Sequence, residues 1–186
     1  MKKILFITNN WFYDYGGRRI ASTRIIKNLV HRNCDITFVD FEVKTNQIPK
    51  YKIKNNINFD NRVHILTHFI KTNKALIPYL IDISKKSQFD LLICSGGPHF
   101  DIMAVFVIRL FNLFKKSKVV LLAHNHPLKS IRILSFSIKD SFYNFVYYIS
   151  SYFIYGLFDK IITPGTSLKH FFVSHFYYKT RKNISY

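Results

Sequence analysis

Three short stretches gather the residues able to do chemistry: Asp14-Tyr15-Gly16-Gly17-Arg18-Arg19, Ser95-Gly96-Gly97-Pro98-His99 and His124-Asn125-His126-Pro127. Gly16 and Gly17 let a ligand approach the backbone closely, and a helix opening there would turn its unbonded N–H groups and positive dipole end toward an anion. Arg18, Arg19 and Arg24 add charge, so a diphosphate fits this loop. Two glycines also suit a plain turn, and the Gly-x-Gly-x-x-Gly spacing of dinucleotide sites is absent. Ser95, Gly96 and Gly97 offer backbone amides ahead of a helix that Pro98 can start, although an ordinary strand-to-helix turn has the same composition. His124 and His126 form a His-x-His pair, but no acidic or cysteine partner lies at a suitable spacing, so no metal is expected. A histidine at a strand end instead suits a hydrogen-bond donor or proton acceptor, while His99 and His126 suit a structural role equally well.

The elements that must position these stretches alternate along the chain. Strand-like runs occur at Lys3 to Thr8, Cys34 to Phe41, Arg62 to Thr67, Phe89 to Cys94, Lys118 to Ala123 and Lys160 to Thr163. Helical spacing occurs at Ile20 to Arg32, Lys74 to Lys86, Phe100 to Phe114, Ser130 to Phe158 and Ser167 to Phe176, and a last strand begins near Asn183 to Tyr186. Strands apolar on both faces, alternating with helices, predict an α/β, Rossmann-like, doubly wound parallel sheet of order 3-2-1-4-5-6. In that order the first and fourth strands are neighbours, and ligands bind beyond their carboxyl ends, where the winding reverses. All three stretches fall at that edge. The Asn- and Lys-rich segment Glu42 to Asp60 reads as a surface excursion.

Composition sets the outer limits. The 186 residues hold one substantial domain, are 48% hydrophobic, and carry 28 Lys and Arg against 10 Asp and Glu, a net charge of +18. Such a chain buries a core, and its charge directs attention to anionic or phosphorylated partners and membrane surfaces. The basic residues are spread along the chain and follow no nucleic-acid motif, so nucleic acid is not the expected partner. Cys34 and Cys94 are the only cysteines, which excludes a disulfide framework, and the apolar run at the start is shorter than the core expected of a signal peptide. A cytoplasmic location is expected. Glu42 is the single glutamate, so no mechanism needing two can be completed by this polypeptide.

Ser141 to Phe158 carries no charge. Its apolar residues recur on one helical face, which favours a helix packed on the sheet over a membrane span. With Lys129, Arg132 and Lys139 just ahead, interfacial contact with the inner membrane face is the alternative.

The combination resembles the amino-terminal domain of family 4 glycosyltransferases, retaining enzymes of the GT-B class. The opening Lys3-Ile4-Leu5-Phe6-Ile7-Thr8-Asn9-Asn10 followed by Asp14-Tyr15-Gly16-Gly17 is similar to that family's first strand and glycine loop. Phe89-Asp90-Leu91-Leu92-Ile93-Cys94-Ser95 is similar to its fourth strand, and Asp159-Lys160-Ile161-Ile162-Thr163-Pro164 to the run preceding the domain crossover. The resemblance implies that residues 1–186 are the acceptor-side half, with the donor-binding domain and its Glu-x7-Glu motif absent, whether by truncation, excision or a split enzyme. It implies a nucleotide-sugar donor as substrate, no cofactor, and a glycan or lipid-linked acceptor in surface-polysaccharide synthesis, with His124 against the transferred sugar. Gly16, Gly17, Arg18, Arg19, Ser95, Gly96, Gly97, His99, Asn125 and His126 would then face acceptor or diphosphate. A complementing carboxyl-terminal domain becomes an expected partner. A non-catalytic module that binds acceptor or membrane is the competing reading.

Overall fold

Alternate residues of the first strand point to opposite sides, and both sets are apolar: Ile4 and Phe6 face one layer, Leu5 and Ile7 the other, and all four are buried. A strand with two dry faces must sit in the middle of a covered sheet. The computed structural model describes residues 1–13, 17–43, 59–70, 76–124, 149, 153–163, 165, 169–170, 173 and 184–185, and it places that strand centrally.

The strands are β1 (Lys2–Asn9), β2 (Cys34–Val43), β3 (Val63–Ile70), β4 (Leu91–Cys94), β5 (Lys118–Leu122), β6 (Lys160–Ile162) and β7 (Ile184–Ser185). They form one sheet in the order β3-β2-β1-β4-β5-β6-β7, and every pairing is parallel. The expected order is reproduced, with the chain's last strand added beside β6.

Three helices are described: α1 (Gly17–His31), α2 (Leu76–Lys86) and α3 (Pro98–Leu110). Ile26 and Val30 of α1 pack on the face carrying Ile4, Phe6, Ile36 and Phe38. Leu76, Leu80 and Ile83 of α2, with Ala104, Val105 and Ile108 of α3, cover the face carrying Leu5, Ile7, Leu92 and Leu121. The sheet is therefore wound on both sides.

Boundaries differ from the sequence reading where local chemistry intervenes. The helix expected from Ile20 begins at Gly17, and its buried stripe is Ser22, Ile26 and Val30, while Ile20 is exposed. It stops where Asn33 adopts a φ of 58°, the left-handed conformation that asparagine accepts after a helix. The helix expected over Phe100 to Phe114 begins earlier, at Pro98, and ends at Leu110, because Asn112 (φ 51°) and Phe114 (φ 50°) turn the chain out of helical geometry. Glu42 is not part of a surface excursion: it lies in β2, pairs in register with Phe69, and is only 2% exposed. Most of Ser130 to Phe158 lies outside the described residues. Its described end is a 3-10 turn, Tyr155–Leu157, followed by extended Phe158. Both cysteines are buried and free.

Candidate active site

The carboxyl ends of β1, β4 and β5 meet the amino ends of α1 and α3, and polar side chains tie these five elements together. Asn9, the last residue of β1, is the hub. Its Oδ1 accepts the Gly97 N–H at 3.0 Å and an Arg18 guanidinium N–H at 3.2 Å, and a second N–H of Arg18 donates to the Asn9 carbonyl at 3.1 Å. The start of α1 and the start of α3 are thereby held against one strand end.

A second chain of bonds runs beneath the first. Ser22 Oγ, buried on α1, lies 3.1 Å from Ser95 Oγ, and Ser95 Oγ lies 3.0 Å from His124 Nε2. The Thr8 hydroxyl donates to the Ser95 carbonyl at 2.9 Å. His124 is half-buried just past β5, so one imidazole nitrogen is fixed by a hydroxyl that is itself fixed. Such an arrangement orients the ring through its Nε2 edge.

The glycine loop after β4 uses its own amides. Ser95 N–H donates to the Ile7 carbonyl at 2.9 Å, Gly96 N–H to Asp101 Oδ1 at 2.8 Å, and Gly97 N–H to Asn9. What the loop offers a ligand is shape. A side-chain carbon at Gly97 would meet nothing within 4 Å, and the same holds at Gly17, so both positions leave backbone open to close approach.

The electrostatics come from buried acids around Arg18. Asp101, in the first turn of α3, is 4% exposed, and burial pushes its carboxyl up to about 7 against the pull of the Gly96 N–H and of Arg18. Asp40 of β2 is fully buried and accepts the Trp11 and Phe12 backbone N–H groups. Burial carries it up to about 6, the two N–H groups and Arg18 pull it down, and nearby Glu42 raises it. Arg19 lies 5.7 Å from the centroid of the Trp11 ring, a cation–π contact.

Of the residues singled out from sequence, Gly17, Arg18, Ser95, Gly96, Gly97 and His124 come together at this edge. Arg19 sits one residue further along α1, and His99 is the second residue of α3. Gly16, Asn125 and His126 lie outside the described residues. Sequence reasoning missed Asn9, Ser22 and Asp101. Ser22 had a signal: a serine four and eight residues before Ile26 and Val30 is a polar side chain in an apolar helical stripe. Among the described residues no group of three or more His, Cys, Asp or Glu is disposed to hold a metal ion.

No protein-family model and no curated protein sequence matches the chain. Among solved structures, the chain is similar to the apo form of the lipopolysaccharide outer core galactosyltransferase WaaB, with a TM-score of 0.56 and 11% identity over 99% of this chain. It is also similar to the UDP-GlcNAc 2-epimerase of Methanocaldococcus jannaschii, with a TM-score of 0.58 and 12% identity over 98% of this chain. At these identities the likeness is one of fold: a Rossmann-like sheet of the GT-B type. The chain spans 44% of the length of each of these two proteins.

Proposed function

We propose that this chain is the acceptor-side half of a retaining, family 4-like GT-B glycosyltransferase that moves a sugar from a nucleotide-sugar to a glycan or lipid-linked acceptor in surface-polysaccharide synthesis. The observation that carries the reading is the convergence of Asn9, Gly17, Gly97 and His124 at the carboxyl edge where the winding reverses, the place where open α/β sheets bind ligands. In this reading His124 touches the transferred sugar, and Gly17 and Gly97 admit acceptor or diphosphate against bare backbone. Gly16, Arg19, His99, Asn125 and His126 complete the rim, and Arg18 and Gly96 hold it in shape. The fold likeness to a galactosyltransferase and a nucleotide-sugar epimerase supports sugar handling.

The donor nucleotide belongs to a second Rossmann-like domain, encoded further along the same frame or in a separate one, that carries the Glu-x7-Glu pair. Glu42 cannot stand in for it: it is single and enclosed within β2. Transfer is placed at the cytoplasmic face of the membrane.

The 186-residue chain alone is expected to turn over nucleotide-sugars far more slowly than the roughly 1 per second of ordinary enzymes. Mixing it with the second domain should produce transfer, and His124→Ala in that mixture should lower kcat by on the order of a hundredfold or more. Backbone NMR of the chain titrated with acceptor analogues should shift Gly17, Gly97 and His124 together. Shifts confined to other surfaces would overturn the site assignment. Acceptor binding with no transfer in any mixture would favour the non-catalytic module.

A further inference from the structure

Ser22 and Ser95 are both fully buried, so each hydroxyl proton needs an acceptor inside the fold. The usual route for a hydroxyl within a helix is the carbonyl four residues back, and Thr23 takes it, donating to the Arg19 carbonyl at 2.8 Å. Ser22 does not. Its Oγ turns inward to Ser95 Oγ at 3.1 Å, the one hydrogen-bond partner of that hydroxyl among the described residues. Ser95 Oγ has two partners, Ser22 Oγ and, at 3.0 Å, Nε2 of the half-buried His124. The Thr8 hydroxyl donates to the Ser95 carbonyl and competes for neither. Three side chains thus share two hydrogen bonds, and each bond carries one proton.

We infer that Ser22 and Ser95 are positioning residues that place the ring proton of His124 on Nδ1. The Ser22 proton fills the bond to Ser95 Oγ, the acceptor within its reach. Ser95 cannot donate back along the same bond, so its own proton goes to His124 Nε2. Nε2 is then the bare, accepting nitrogen, and a neutral imidazole carries its proton on the other one. A proton on Nε2 would turn both bonds round and strand the Ser22 proton in the core, where an unmade hydrogen bond is costly. The consequence for chemistry is directional. Nε2 accepts from within the fold, so the ring's donor is Nδ1–H, which suits an oxygen lone pair. The tautomer stands on the hydrogen bonds alone. That Nδ1–H meets the transferred sugar rests on the function proposed above, and within that reading His124 acts on a sugar oxygen as a donor rather than as a base.

Long-range proton–nitrogen NMR correlation of the nitrogen-15-labelled chain at about pH 8, where an ordinary imidazole is neutral, reads which ring nitrogen holds the proton. His124→Asn identifies the His124 signals by their loss. The unaltered chain should show a protonated Nδ1 and a bare Nε2. Ser95→Ala removes the donor to Nε2 and should return the ring to the free-imidazole mixture, in which the Nε2–H form predominates, with unchanged circular dichroism confirming the fold. Ser95→Thr keeps the hydroxyl and should keep the Nδ1–H form. A protonated Nε2 in the unaltered chain would overturn the inference, because Ser22 would then be sending its proton elsewhere. An unchanged tautomer in folded Ser95→Ala would overturn it too. In the mixture with the second domain, His124→Asn can set an amide N–H where Nδ1 was, whereas His124→Gln reaches as far as Nε2. The Asn variant should therefore keep a kcat roughly tenfold or more above that of the Gln variant. Equal values or the reverse order would overturn the donor role. Absence of transfer by the unaltered mixture would count against the proposed function instead, and the tautomer would still be decided by the spectra of the chain alone.

Discussion

Gly96 and Gly97 are neighbours with opposite duties. A Cβ at Gly96 would fall 2.4 Å from Phe100 Cδ1 and 2.8 Å from Asn9 Oδ1, and Phe100 is buried in the core at 2% exposure, so neither neighbour can withdraw cheaply. Gly96→Ala should therefore destabilise by about 1–3 kcal/mol, the usual range for overpacking, and loosen the Asn9 hub with it. Gly97 is extended, with φ −94° and ψ 163°, and open, so Gly97→Ala should fold at least as stably as the parent. Urea denaturation separates the two, and equal midpoints would refute the steric account. Sequence alone grouped both glycines as ligand-facing, since type and spacing do not show which one meets a phenylalanine ring four residues on. The same limit hid Asn9 and Asp101, whose roles arise only when β1 and α3 are set side by side. Glu42 was misplaced because a polar flanking segment obscured the strand continuing through it.

At the scale of elements, α3 is the piece whose start matters most. Gly97 precedes it without a side-chain cap, Pro98 opens it, and Asp101 reaches back from its first turn to the Gly96 N–H. A buried acid held at about 7 binds its proton more tightly in the folded chain than in the unfolded one, where its value is 3.8. The folded state thus holds extra protons between these limits, and stability falls as pH rises from about 4 to about 7. Asp40, at about 6, acts in the same direction. For Asp101 the full interval corresponds to on the order of 4 kcal/mol, or roughly 10 °C in Tm for a domain of this size. Thermal unfolding at pH 4.5, 6 and 7.5 should show the parent losing stability with rising pH. Asp101→Asn, which keeps an oxygen for Gly96, should lose much less. A parent whose Tm rises over that range would contradict the assignment. Periodicity identified the described elements well, because burial on one or two faces writes itself into residue type. Their ends were less legible, since left-handed Asn33 and Asn112 stop α1 and α3 by backbone conformation rather than by polarity.

For the molecule as a whole, strand order was the most legible feature, because doubly apolar strands alternating with helices leave few topologies once crossovers must be right-handed. That order also dictates where the structure is firmest. β1 is bonded to β2 on one side and β4 on the other, and Ile4 through Thr8 are at most 2% exposed. β3 ends the sheet among the described residues, paired only with β2, and Ile65 and Leu66 are 38% and 40% exposed on its two faces. An edge strand with little cover opens locally at lower free energy than the central strands, whose amides exchange only when the domain unfolds. Hydrogen exchange should accordingly proceed in order: β3 amides first, then β2, with Leu5, Phe6 and Ile7 last and matching the global unfolding free energy from denaturant titration. The candidate site is attached to the slow end of this series, since Asn9 closes β1 and Ser95 follows β4. Site substitutions such as Ser22→Ala should therefore leave the exchange of β3 unchanged while altering the environment of His124. If β1 exchanged as fast as β3, the central placement of the strand that organises the site would be wrong, and the site would lose the rigid frame on which its geometry depends.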